Sequence, residues 1–229
     1  STRVGLMCNL GAALAVRAGE APRAGERATK RVLILLGENF EEIEFAAFSG
    51  VLAWASHTKR ASNGVLSHVP GAAEVRTIEV VVAGFDKEVN SMGSMHVRPD
   101  VLVQDLTDAE IGRFDAVAIP ACVGSGRGRH TDKGQDDLLS DRTVAIVRRV
   151  HERGGVIALM CWGQDLLRKA KLLKNAADYP VYTDKKDGSF RPLVFDKETR
   201  TITSGGPCVA VETACLLLRQ LVGEDEYRS

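Results

Sequence analysis

Two short stretches carry residue types suited to covalent chemistry. In GGVIALMCWGQDLL (154–167) a continuous apolar run ends on Cys161, Gly163 follows two residues later, and a helix-like pattern then begins. This is the pattern of a nucleophile elbow, a sharp strand-to-helix turn that lifts a side chain above a sheet. Small residues permit its close packing, and the helix N-terminus favours negative charge. A cysteine at that corner suits attack on a carbonyl, or oxidation, because both need the deprotonated sulfur. From this stretch alone the alternative is equally open: a small hydrophobe buried at a strand end, as most free cysteines are.

The second stretch, GENFEEIE (37–44), crowds Glu38, Glu41, Glu42 and Glu44 behind an apolar run. Open parallel sheets place their ligand crevice at that end of a strand. Three of the four acids are expected to be solvated partners of a helix N-terminus. One is expected to point inward. A carboxyl group pressed beside a sulfur in a dry pocket has a raised pKa, and when protonated it can donate a hydrogen bond that stabilises the thiolate.

The elements that must position these groups alternate short apolar runs with amphipathic stretches from Arg31 onward, the sign of a parallel sheet covered by helices. Strands are expected at 31–36, 77–84, 115–120 and 156–160, and a hairpin at 193–204. Helices are expected at 41–56, 105–114, 140–153, 163–174 and 208–222. In the first helix Ile43, Ala47, Val51 and Trp54 form the expected inward stripe. Ser140 or Asp141 is the expected N-cap of the 140–153 helix. Residues 57–76, with Gly, Pro and Ser but no period, read as an inserted loop. Residues 1–30 read as an N-terminal extension or a targeting segment, and 31–229 as one domain.

Composition excludes several classes. Thirty basic residues balance thirty acidic ones, so no global field favours nucleic acid or an anionic membrane surface. No apolar stretch reaches the roughly 20 residues a membrane span needs. Five cysteines without CxxC spacing argue against a disulfide framework and a zinc finger, and point to a reducing compartment. The histidines show no HxxxH or HExxH spacing, so no metal is expected. GSGRGRH (124–130) lacks the Gly-Lys-Ser/Thr ending of a phosphate loop and reads as a loop at the pocket rim.

GENFEEIE, DAVAIPA (115–121), GGVIALMCWG, KLLKNAADYP (171–180) and TITSGGP (201–207), in this order and spacing, resemble the ThiJ/PfpI superfamily over residues 31–222. The resemblance implies an α/β, flavodoxin-like three-layer sandwich with a mainly parallel sheet and a nucleophile elbow, akin to class I glutamine amidotransferase domains. It implies that Cys161 is the reactive cysteine and Glu44 the buried acid hydrogen-bonded to it. It also implies a homo-oligomer, at least a dimer, and no cofactor.

The chain departs from that family at three places. Trp162 stands where protease-like members carry a histidine. Tyr179 before Pro180, eighteen residues after Cys161, stands where other members carry one. Ala121 and Cys122 replace the Gly-Gly of the family's oxyanion turn. Ala121, Cys122, Trp162 and Gly163 are therefore the expected pocket and oxyanion residues, with Tyr179 and His130 as auxiliary groups. Cys122 either resolves an oxidised Cys161 or merely fills its turn. Cys208 and Cys215 are expected in the core on one helix face. The resemblance implies action on a small reactive carbonyl, in the manner of glyoxalase or deglycase members. The alternatives are an oxidative-stress sensor or chaperone-like protein with an oxidant as partner, and, least supported, a cysteine peptidase or amidase. A cytoplasmic location is expected, or an organelle if residues 1–30 are a transit segment.

Overall fold

The computed structural model describes residues 29–57, 59–60, 66–67, 78–122, 133–172, 192–224 and 227. In chain order the elements are β1 (Lys30–Leu36), α1 (Glu42–His57), β2 (Lys59–Arg60), β3 (Leu66–Ser67), β4 (Ile78–Gly84), β5 (Val89–Asn90), β6 (His96–Val97), β7 (Val101–Leu102) and α2 (Asp108–Ile111). They continue with β8 (Ala116–Ile119), α3 (Lys133–Leu138), α4 (Asp141–Glu152), β9 (Val156–Met160), α5 (Gln164–Lys169), β10 (Leu193–Asp196), β11 (Thr201–Ser204) and α6 (Ala210–Val222).

Seven strands make the central sheet in the order β10-β11-β9-β8-β1-β4-β7, with every neighbouring pair parallel except β10 and β11. Its middle strands are apolar without alternation because helices cover both faces: β8 and β9 are buried along their whole length. One face packs Leu33, Leu35, Val117, Ile157 and Leu159 beneath α2, α4 and α5. The other packs Val32, Ile34, Ala116, Ala158 and Met160 beneath α1 and α6. The chain is thus a three-layer α/β sandwich. No helix among the described residues is long and apolar enough to cross a membrane.

Ser140 caps α4 as expected, its hydroxyl accepting from the Thr143 N–H at 3.2 Å. Four expectations are corrected. Ile43 and Trp54 are 57% and 67% exposed, and the inward stripe of α1 is Glu44, Ala47, Phe48 and Leu52. The helix is apolar nearly all round, so periodicity alone could not choose its phase. Cys208 lies exposed in a 3-10 turn before α6, and Cys215 is only partly buried. The 105–114 helix shrinks to the single turn of α2, started by a Thr107–Glu110 capping box. The helix behind the elbow ends at Lys169, where Lys171 takes a left-handed conformation. The 57–76 segment lies mostly outside the described residues, apart from the end of α1 and the antiparallel pair β2–β3.

Candidate active site

Cys161 follows β9 directly and sits in left-handed backbone, φ 55°, in a 3-10 turn that leads into α5. A non-glycine residue held there costs on the order of 1–3 kcal/mol, which the surrounding packing must supply. That packing is visible at Gly163: a Cβ built on it would overlap the Cβ of Leu159 in β9. The elbow therefore needs a hydrogen at that position. It leaves Cys161 half-buried at the carboxyl end of the sheet.

Glu44 reaches the same edge from α1. Its side chain is fully buried, and Oε2 accepts the Ala121 N–H at 2.6 Å. Oε1 has no hydrogen-bond partner among the described residues. Burial raises its pKa to about 7, against the lowering effect of the Ala121 bond and with a further raise from the neighbouring Glu41 charge. β8 and β9 run parallel with Ile119 opposite Leu159, so Ala121 and Cys161 stand at corresponding places beyond the ends of adjacent strands. The protonatable carboxyl and the thiol are thus delivered to one edge by neighbouring elements.

The other three acids of GENFEEIE build the frame. Glu41 caps α1, its Oε2 accepting the Glu44 N–H at 2.8 Å. Glu38 accepts both the N–H and the Nδ2 of Asn90. Glu42 accepts from Ser91 Oγ, Ser94 N–H and Met95 N–H, and these bonds hold its pKa below the ordinary carboxylate value. Far from being merely solvated, Glu38 and Glu42 tie the β5–β6 hairpin to the start of α1, while Glu41 caps that helix. A Cβ on Gly93 would lie 2.6 Å from the Glu42 carboxylate, so a side chain there would push that carboxylate aside.

Ala121 and Cys122 are both buried. The Ala121 N–H expected to serve an oxyanion is instead donated to Glu44, because a buried carboxyl must find a donor. Cys122 pairs through its backbone with Phe40, and its sulfur packs against Gly37, where a Cβ would lie 2.8 Å from Sγ. Burial pushes its thiol pKa well above the ordinary value. Trp162 and Gly163 form the backbone of the elbow turn. His130 and Tyr179 lie outside the described residues. Among the described residues, no three His, Cys, Asp or Glu side chains come together as a metal site.

Sequence reasoning missed Ser204. It stands opposite Met160 at the end of β11, is fully buried, and its hydroxyl has no hydrogen-bond partner among the described residues. The only signal was a run of hydroxyl residues, TITS, inside a strand too buried to solvate them.

The sequence profile of the DJ-1/PfpI family matches residues 30–220. The chain belongs to the DJ-1/PfpI family. Solved structures agree at the level of fold. Drosophila melanogaster DJ-1beta is 23% identical, with a TM-score of 0.63 over 88% of this chain and 95% of that one. An oxidised Toxoplasma gondii DJ-1 is 21% identical, with a TM-score of 0.63 over 87% and 95%. Schizosaccharomyces pombe DJ-1 is 17% identical, with a TM-score of 0.63 over 86% and 95%. No curated protein matches the chain.

Proposed function

We propose that this DJ-1/PfpI chain acts on small reactive carbonyls through Cys161 and Glu44. The observation that carries the reading is Glu44: a wholly buried carboxyl, pKa about 7, with one oxygen unpartnered among the described residues, at the sheet edge where the elbow presents Cys161. A carboxyl poised near neutral pH can both give and take a proton. In the glyoxalase form of the reaction, the Cys161 thiolate adds to the aldehyde carbon of methylglyoxal. The S–C bond forms, the C=O π bond breaks, and the alkoxide takes a proton to give a hemithioacetal. Glu44 carries a proton from that carbon to its ketone neighbour through an enediol. The resulting lactoyl thioester is hydrolysed by water to lactate and free thiol. The Trp162 and Gly163 backbone of the elbow is the remaining candidate for holding the alkoxide.

The test is lactate formation from methylglyoxal. Cys161→Ala should abolish it, and Glu44→Gln should lower kcat by about 100-fold or more. An alanine variant with full turnover sinks the reading.

A second reading, a redox sensor in which Glu44 holds an oxidised Cys161, draws on the same protonated acid. The Toxoplasma gondii relative was solved in an oxidised form. Burial of Cys122 favours the turn-filling role over that of a resolving thiol. Mild peroxide should then oxidise Cys161 selectively, without a 122–161 disulfide; uniform oxidation of every cysteine would exclude it. The peptidase reading has the least support, because Trp162 occupies the position of the adjacent histidine.

The family resemblance also implies a homodimer, and α1 carries a surface suited to one. Ile43, Ala46, Ala53 and Trp54 are exposed, and a Cβ on Gly50, in mid-helix, would meet nothing within 4 Å. Glycine in a helix interior costs about 1 kcal/mol relative to alanine, and close approach of a second helix is a physical return for it.

A further inference from the structure

The amino ends of the parallel strands, opposite the Cys161 edge, hold a second feature. Four neighbouring turns meet there: the start of β1 at Lys30 and Arg31, the 112–115 turn before β8, the 153–156 turn before β9, and the turn before β11 at Arg200. Backbone hydrogen bonds tie them side by side. Asp115 N–H donates to Arg31 O at 2.8 Å, Val156 N–H to Asp115 O at 2.9 Å, and Ile157 N–H to Arg200 O at 3.1 Å. Between them lies a cleft of about 530 Å³, lined by Lys30, Arg31, Arg113, Arg153 and Arg200 against the single carboxylate of Asp115.

This sign imbalance stands in a chain with no net charge. Asp115 is already engaged, accepting Lys30 Nζ at 3.1 Å and the Arg31 N–H at 2.9 Å. Arg31 is bonded through Nε and Nη2 to Glu79 and lies over the Phe114 ring, yet its buried Nη1 has no acceptor among the described residues. Arg113, Arg153 and Arg200 are exposed and make no ion pair among the described residues, though the Glu110 carboxylate is within electrostatic reach of Arg31 and Arg113. Arg153 passes beside the 112 turn, its Cδ 3.6 Å from where a Gly112 Cβ would lie.

We propose that this cleft binds a small anion bearing two or more linked phosphate groups. Guanidinium forks match phosphate oxygens in pairs, and several like charges around one cleft repel one another until an anion enters. The volume is in the range of small-ligand sites. Phe114 is buried and covered by Arg31, so it cannot stack on a base; recognition falls on the phosphates.

The test is calorimetric titration of the full chain with tripolyphosphate, ATP and orthophosphate, at low and at physiological salt. Tripolyphosphate should bind with an affinity that weakens as salt rises. Changing Arg113, Arg153 and Arg200 together to Gln should lower it by about tenfold per arginine, and the matching Lys variant should restore part of it. Equal binding of ATP and tripolyphosphate assigns recognition to the phosphates; tighter ATP binding points to a nucleotide as the source. Circular dichroism and thermal melting establish that the Gln variant folds. No binding by the wild type, orthophosphate binding as tightly as tripolyphosphate, or unchanged affinity in the Gln variant would each overturn the proposal.

Discussion

The Glu44 carboxyl carries a proton further up the pH scale than any solvated glutamate does, and stability reports it. Burial raises its pKa from the ordinary 4.5 to about 7. Between those values the native state keeps a proton that the unfolded chain has released. The stabilisation is fully present below about pH 4.5 and fades as pH rises through about 7, by about 3 kcal/mol in all. Denaturant unfolding at pH 5 and pH 8 should show the wild type losing about 2–3 kcal/mol relative to Glu44→Gln. Identical pH slopes in the two proteins would mean that Glu44 titrates normally. Alkylation separates the thiols at the same scale. Cys161 should react fastest below about pH 7 and lose that advantage in Glu44→Ala, while buried Cys122 stays unmodified in the native protein.

At the scale of the element, the elbow depends on one missing methyl group. Gly163→Ala drives a Cβ into Leu159, which lies on fully buried β9 and cannot yield. The expected loss is about 1–3 kcal/mol in chemical denaturation, accompanied by a changed alkylation rate at Cys161 as the turn shifts. A neutral substitution would show that the turn relaxes freely. Ser140→Ala gives a calibrating comparison from the N-cap of α4, with an expected cost of about 1 kcal/mol and no effect on Cys161 reactivity.

On the scale of the whole molecule, the parallel sheet separates two edges. The carboxyl ends hold Glu44 and Cys161; the amino ends hold the arginine cleft. The exposed face of α1, with Ile43 beside Glu44, lies between them. Light scattering should find a dimer for the wild type, shifted toward monomer by Ile43→Arg combined with Gly50→Glu. A monomeric wild type would remove the dimer from the reading of this chain.

Much of this was legible in the residues themselves. An unbroken apolar run such as VIALM has to be a strand buried on both faces, so β1, β8 and β9 and the parallel sheet they share followed from composition and order alone. The Cys161 corner followed from a thiol and a small residue placed where such a strand must turn. The phase of α1 did not follow, because a helix apolar all round offers periodicity no preferred face; only packing against the sheet turned Glu44 inward and Ile43 and Trp54 outward. Nor could local sequence give the Ala121 amide to Glu44, leave the Ser204 hydroxyl without a partner among the described residues, or gather arginines from four separate segments around one cleft. Those outcomes arise from contacts between residues far apart in the chain, and only the register of the assembled strands decides which of them meet.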